Sequence, residues 1–300
     1  MEKIIHIPTI QDLHRGFGEE PPAHPLITIT RIEEIPPFPP AYPEAVSYGF
    51  YHIGLKRNLQ GYVKYGRTTY DFQEGVMGFS APGQEISYSL DSISYATGWM
   101  LWFDQRLFKG HPLAEVISSY GFFGYQVNEA LHLSKAEEDI MEGIFSNIQE
   151  ECAGPIDAHS RNVLLSNLEL LLTYSNRFYT RQFRIRNEVD SSFLVKFERV
   201  LASYFEENTQ LEKGLPSVQY LAEKLHVSPN YLSDTLKVLS GKSTQEHIHL
   251  YLMEKAKGIL LGTDLSISEV AFKLGFEYPQ YFSRLFKDKV GVSPNKYRMN

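Results

Sequence analysis

The sequence predicts a two-domain α+β protein. A β-barrel or sandwich with a helical hairpin comes first, followed by an all-α C-terminal domain of about seven helices holding two helix-turn-helix units. Three observations carry this. The first 110 residues are short alternating segments broken by Gly and Pro. Two segments with long apolar stripes follow. Then residues 231–241, YLSDTLKVLSG, nearly recur at 281–291 as YFSRLFKDKVG. The chain of 300 residues also exceeds the usual single domain.

In the β region, LITITRI (26–32) alternates, as does VSYGFYHIGL (46–55), which sets Val46, Tyr48 and Phe50 on one face. GYVKYGRTTYDF (61–72), QEGVMGFSAPGQEISYSL (73–90) and TGWMLWFD (97–104) complete the set. IPPFPPAYP (35–43) reads as a stiff connector. Ser134 and Glu137 then form a capping box that opens a helix. Ile140, Ile144 and Ile148 lie on its stripe, widened by Met141 and Phe145, and Gly154-Pro155 ends it. A second helix runs to about Phe178 and is apolar on nearly every side, so it needs cover all round. A partner subunit, making helices 134–178 a homodimer interface, or a wholly intrachain core would each supply it. The polar, charged stretch 181–191 reads as a linker between domains 1–180 and 192–300.

Hydrophobic content of 43% and charged content of 22% are those of an ordinary globular chain. VLLSNLELLLTY (163–174) is too short for a membrane span and contains Asn167 and Glu169. The segment MEKIIHIPTIQDLHRGFGEE lacks the apolar run of a signal peptide, and Cys152 is the only cysteine, so a reducing cytoplasm is expected. Net charge is −7, unevenly spread: residues 1–189 carry 15 basic and 23 acidic side chains, and residues 215–300 carry 11 and 8. The C-terminal part is thus mildly basic, which permits a nucleic-acid partner without requiring one.

The repeat has the chemistry of a DNA-reading device. In the first copy Leu221, Ala222 and Leu225 face inward from a short helix. Ser228 caps the next helix, Pro229 opens it, and Leu232 and Leu236 pack it down. Asn230, Tyr231, Ser233, Asp234 and Lys237 are left on or near the outer face. The second copy packs Val270, Ala271 and Leu274, turns through Gly275 and Phe276, then packs Phe282, Leu285 and Phe286. Tyr278, Gln280, Tyr281, Ser283, Arg284 and Lys287 go outward. Ser266 and Glu269 form a capping box, and Ser293-Pro294 starts a last short helix.

Between the copies, Ser243 and Glu246 cap a helix running to about Leu261. At 1.5 Å per residue it spans roughly 27 Å. That length suits two recognition helices about 34 Å apart, one turn of B-DNA. Arg284 can bond a guanine edge twice and Gln280 an adenine edge, whereas Lys237 and Lys287 suit phosphates. Asp234 stands where Arg284 stands in the other copy and repels phosphates, so the second unit is expected to dominate base reading.

The blocks LAEKLHVSPNYLSDTLK and AKGILLGTDLSISEVAFKLGFEYPQYFSRLFKDKVGVSPNKYR give residues 192–300 a resemblance to the C-terminal domain of AraC/XylS transcription regulators. Gly275-Phe276, YFSRLFK (281–287) and GVSP (291–294) carry it most closely. The resemblance implies two helix-turn-helix units, binding to double-stranded promoter DNA and transcriptional control, with RNA polymerase a further partner. The chain departs from the pattern at Asp234, where a basic residue is usual, at Leu236, usually aromatic, and near Leu252, where Arg is usual. DFQEGVMGFSAPGQEISYS and GWMLWFDQRLF resemble the cupin-like sensory β-barrel of the family, which implies a small effector in the barrel and dimerisation through the helix pair.

Tyr48, Tyr51, Tyr62, Tyr65, Tyr70, Trp99 and Trp102 are candidates to line an effector pocket, with core packing the alternative for each. Metal is not expected: the β region has no H-x-H, His24, His52 and His111 lie far apart in sequence, and His247 and His249 sit on a helix where i and i+2 diverge and face solvent. Cys152 reads as a helix core residue. No GxGxxG, Walker loop or triad-like motif occurs, so neither a cofactor nor an enzyme activity is expected. Two other readings stay open: a barrel that serves only dimerisation, and a metal-independent cupin enzyme joined to a DNA-binding module.

Overall fold

The computed structural model describes residues 5–35, 45–58, 75–87, 96–125, 129–189 and 192–299. The chain divides into two compact units, Met1–Gln182 and Phe183–Asn300.

The first unit is a β structure with helices packed against it. Strands β1 (Ile5–Ile7), β3 (Ala45–Tyr48) and β6 (Glu85–Ser87) form one sheet, in the order β1-β3-β6. Strands β2 (Ile27–Arg31), β4 (Tyr51–Arg57), β5 (Val76–Ser80), β7 (Thr97–Phe103) and β8 (Leu131–His132) form another, in the order β2-β7-β4-β5-β8. The segment 46–55, read above as one strand, is two strands in two sheets. The corner is Gly49, whose N–H donates to the Ile7 carbonyl at 2.9 Å. A Cβ there would stand 2.4 Å from the Pro8 oxygen, so no side chain fits and the chain turns at that point. Helix α1 (Ile10–Phe17) was not anticipated. Thr9 accepts from Asp12 N at its start, and Gly18 ends it with φ 73°.

Alternation sorts the large sheet into two faces. Ile53, Leu55, Met77, Phe79, Trp99, Leu101 and Phe103 share the outer one, all buried. After the short helix α2 (Leu113–Val116), helix α3 (Lys135–Ala153) and helix α4 (Ser160–Val189) contribute cover there: Trp99 stacks on Phe145 at 5.9 Å, and Phe79 meets Tyr179 at 6.0 Å. The other face turns toward β3 and α1, where Met100 and Trp102 cluster with Val46, Tyr48, Ile10 and Leu13.

In α3 the stripe is Met141, Ile144, Phe145 and Ile148; Ile140 is 39% exposed, because it lies about a quarter-turn from the stripe's centre. In α4, Leu164, Leu165, Leu168, Leu171 and Leu172 are buried, while Val163 and Leu170 are exposed. Helix α4 continues through Val189, so most of the expected linker is helical. RQFRIRNEV contains neither Gly nor Pro and is rich in good helix formers; polarity alone does not stop a helix. Cys152 is half-buried, and burial pushes its thiol up to about 12. No helix among the described residues is long and apolar enough to cross a membrane.

An ionic clamp joins α3 to the sheet. Arg57 donates to Glu138 and Glu142, and Arg31 reaches Glu142 at 2.7 Å while lying 3.7 Å over the Trp99 ring. These side chains are 10–29% exposed, so the charges are weakly screened. Burial alone would raise the Glu142 carboxyl, but the Arg57 hydrogen bond and the Arg57 and Arg31 charges hold it below its ordinary 4.5. A carboxylate held below its unfolded value stabilises the fold above that value and loses the contribution as pH falls through the folded one. Glu142→Gln should therefore flatten the loss of N-terminal stability below pH 4.5, read by urea titration across acidic pH. Parallel curves for wild type and variant would contradict it.

The second unit contains helices α5 (Ser192–Glu206), α6 (Gln210–Lys213), α7 (Val218–Leu225), α8 (Pro229–Ser240), α9 (Thr244–Gly262), α10 (Ile267–Lys273), α11 (Pro279–Val290) and α12 (Pro294–Met299). One apolar cluster joins them. It holds Phe197 and Leu201 of α5, the inner faces of α7–α8 and α10–α11, and Ile248, Leu252, Ala256 and Leu260 of α9.

Candidate nucleic-acid interface

Each repeat is two short helices and a turn, and the turns match bond for bond. In α7, the Val227 N–H donates to the Ala222 carbonyl at 3.0 Å; in α10, the Phe276 N–H donates to the Ala271 carbonyl at 3.0 Å. This is the Schellman closure of a helix C-terminus, and it needs a left-handed residue just before the donor. His226 fills that position in the first copy with φ 58°, Gly275 in the second with φ 87°. A Cβ on Gly275 would also stand 2.9 Å from Gln210 Cβ, so that position is closed to side chains.

The outward helices start and stop alike. Pro229 and Pro279 open α8 and α11. The Ser228 hydroxyl accepts from Tyr231 N, whereas Tyr278 caps α11 without a side-chain bond, after a turn one residue longer. Gly241 and Gly291 end them in left-handed conformation, their N–H groups donating to the Lys237 and Lys287 carbonyls at 2.9 and 2.8 Å. Leu232 and Leu236, and Phe282, Leu285 and Phe286, are buried beneath.

The outer faces differ. On α11, Gln280, Arg284 and Lys287 are exposed, Ser283 is half-buried, and Tyr278 and Tyr281 are 62% and 38% exposed. Arg284 lies 5.7 Å over the Tyr281 ring, so its guanidinium is oriented along the surface. On α8, Asn230 and Lys237 are exposed, and Ser233 and Asp234 half-buried. The Ser233 hydroxyl is engaged with Thr244 at 3.2 Å. Tyr231 is not on the outer face: it is 5% exposed, its ring edge-on to Phe183 at 5.1 Å. Position in the repeat gave no sign of this, because the neighbour that covers Tyr231 comes from α4.

His247 and His249 are half-buried rather than solvated, and burial pushes both imidazoles below the ordinary value. His247 Nε2 lies 2.7 Å from Ser240 Oγ, and its ring stands edge-on to Phe197. Among the described residues no three His, Cys, Asp or Glu side chains are grouped to hold a metal. Sequence reasoning missed two structural side chains. Arg298 donates to the Leu260 and Leu265 carbonyls, closing the end of α9, and Gln210 donates to the Lys273 carbonyl at the end of α10.

The effector candidates do not converge. Trp99 and Trp102 point to opposite faces of β7, because their spacing of three in a period-two strand separates them. Tyr51 stacks on Phe103 at 5.3 Å on the outer face; Tyr48 packs with Trp102 inside. Tyr62, Tyr65 and Tyr70 lie outside the described residues.

Residues 221–300 match the family model described as a helix-turn-helix domain. The C-terminal unit carries an AraC-type helix-turn-helix domain. Over 78 residues the chain is 38% identical to an uncharacterized HTH-type transcriptional regulator, YtdP, of Bacillus subtilis, and 37% identical to another, YijO, of Escherichia coli. Those stretches are 26% of this chain but 10% and 28% of the two relatives. A third, YfiF of Bacillus subtilis, is 25% identical over 84% of this chain and 77% of its own. Among solved structures, the C-terminal domain of AraT, a response regulator from Geobacillus stearothermophilus, is 36% identical over 35% of this chain and 84% of that one, with a TM-score of 0.31.

The AraC-type turns carry a direct test. His226→Gly relieves a left-handed side chain and should stabilise the second unit by about 0.5–1 kcal/mol, while Gly275→Ala should destabilise it by more than about 1 kcal/mol. Urea unfolding of both variants reads this; a destabilising His226→Gly or a neutral Gly275→Ala would contradict it.

Proposed function

We propose that the protein is a sequence-specific DNA-binding transcription regulator, with residues 192–300 as the reading domain and residues 1–180 as a sensing and dimerising one. The observation that carries it is the repeat itself. Two helices with matched caps, turns and buried faces present polar and basic side chains outward, on a scaffold rigid enough to hold them at fixed separation. Regulation of transcription by such a protein acts on RNA polymerase, directly or by occluding its site.

The two helices contribute unequally. Helix α11 exposes Gln280, Tyr281 and Arg284 where base edges would lie, and Lys287 near its end. Helix α8 offers Asn230, Asp234 and Lys237, with Tyr231 withdrawn and Ser233 held by Thr244. Base discrimination therefore rests mainly on α11, and α8 anchors. A second copy of the chain docking on the helix pair is supported by Val163 and Leu170, exposed two turns apart on one side of α4, with half-buried Tyr174 one turn on. A small effector in the β unit completes the reading.

Arg284→Ala should cost about 1–3 kcal/mol on a selected operator and little on random DNA; Lys287→Ala should weaken both alike and lower the salt slope by about 1. Anisotropy titrations on both duplexes over a salt series measure this, and equal losses on both duplexes for both variants defeat the assignment. Leu170→Glu should convert the dimer to monomer in sedimentation at micromolar concentration. A dimer that survives it does not use this face.

A further inference from the structure

The repeat runs on past the glycines at 241 and 291. At the same spacing Ser243 matches Ser293. Each hydroxyl accepts from the backbone N–H three residues on, that of Glu246 at 3.2 Å and that of Lys296 at 3.3 Å. So each outward helix is followed by the same turn and the same capped start of the next helix, α8 by α9 and α11 by α12. The side chains that fasten the two helices of each joint are different.

In the first joint they are polar. The half-buried Ser240 hydroxyl donates to the Leu236 carbonyl at 2.8 Å, which uses its one proton. His247 Nε2, 2.7 Å from the same oxygen, is then the donor of the second bond, and the imidazole proton sits on Nε2. The Lys242 N–H also donates to that oxygen, at 3.2 Å. A further bond, between Ser233 Oγ and Thr244 Oγ1 at 3.2 Å, ties the middle of α8 to the first residue of α9, where Thr244 is only 1% exposed.

In the second joint Val290 and Tyr297 replace Ser240 and His247, and Pro294 replaces Thr244 and has no hydroxyl to offer Ser283. Val290 and Tyr297 pack on the apolar cluster, with the Tyr297 ring edge-on to Phe286 at 5.5 Å. The surfaces beneath the two helices differ in the same sense. Leu232, Thr235 and Leu236 are buried under α8 where α11 buries Phe282, Leu285 and Phe286. Helix α8 thus has less hydrocarbon to hold it. Apolar contact is non-directional, whereas a hydrogen bond weakens steeply away from its line. The bonds to Ser240 and Thr244 therefore supply the orientation that packing supplies for α11.

We propose that Ser240 and His247, together with Ser233 and Thr244, are the positioning residues of the first outward helix: they fix the direction of α8 on α9, and so let α8 meet a duplex together with α11. The proposal rests on the DNA-binding reading above. It gives Ser233, the sequence match of Ser283, a role in orienting α8 rather than in base contact. The sign in the sequence is a Ser and a His seven residues apart across the Gly241 turn, against Val290 and Tyr297 across Gly291.

The test is anisotropy titration of the full chain on two duplexes: a selected operator, and the same operator with the half remote from the Arg284 contact replaced by random sequence. Wild type should bind the intact operator more tightly, since α8 adds contacts there. His247→Phe keeps a ring against Phe197 and removes the donor; Ser240→Ala removes the acceptor. Each should weaken binding to the intact operator about three- to tenfold and leave the half-replaced one unchanged. His247→Gln, which carries an N–H at the end of a side chain of similar reach, should keep most of the affinity. Equal losses on both duplexes, or a His247→Gln as weak as His247→Phe, overturn the positioning role. So does unchanged binding by His247→Phe and Ser240→Ala while wild type still prefers the intact operator. A wild type that binds both duplexes alike overturns the two-helix reading itself.

Discussion

Both outward helices of the repeat hang on one apolar core. The inner faces of α7 and α8, and of α10 and α11, close around α9 and α5 in a single cluster that includes Phe282, Phe286, Leu232 and Leu252. Truncating one buried Phe costs about 3–5 kcal/mol, set against total stabilities of about 5–15 kcal/mol for a domain. No smaller interaction in this unit approaches that. The caps and turns choose which backbone path the chain takes; the core decides that both paths are held in one rigid body, which two separate reading helices need if they are to meet one duplex together.

Within that body the two copies are alike where packing rules and unlike where it does not. Ala222 and Ala271 accept the same turn bond, and Gly241 and Gly291 close the same helix end. A close helix–helix approach tolerates only small residues, and a left-handed helix end favours glycine, so these positions have little freedom. Asp234 and Arg284 face outward and are limited only by what they touch. His226 sits between these cases: it adopts a left-handed turn conformation that glycine would take more easily, at an exposed position where the cost stays small.

The β unit shows the same division across the two faces of one sheet. The outer face is hydrocarbon against helix, fastened by the Arg57, Arg31, Glu138 and Glu142 clamp. The inner face sets His52, Ser80 and Thr28 beside Met100 and Trp102, which pack with Val46, Tyr48, Ile10 and Leu13. A period-two strand can carry both programmes at once, since successive residues never share a face. For the same reason Trp99 and Trp102 cannot serve one pocket.

Much of this was legible in the residues alone. Capping boxes at Ser134, Ser243 and Ser266, prolines at 229 and 279, and the period of Leu232–Leu236 and Phe282–Phe286 located helices and their buried sides, because those signals act within one or two turns of chain. Their recurrence at a fixed spacing pointed to a doubled helix-turn-helix unit, and residues 221–300 match a helix-turn-helix domain model. What local signals cannot carry is which distant segment arrives to cover a side chain. Tyr231 and Tyr281 hold the same place in the repeat, yet Phe183 buries one and leaves the other exposed. Gly49 divides an unbroken alternating run because Pro8 lies against it, and Lys56 turns inward because β4 pairs with β7 in one register. The sequence by itself determined helices, caps and the doubled unit, all set by neighbours within a few residues; only the tertiary structure decided which matched positions face solvent and which face of the sheet was left polar, since burial is conferred by partners far along the chain.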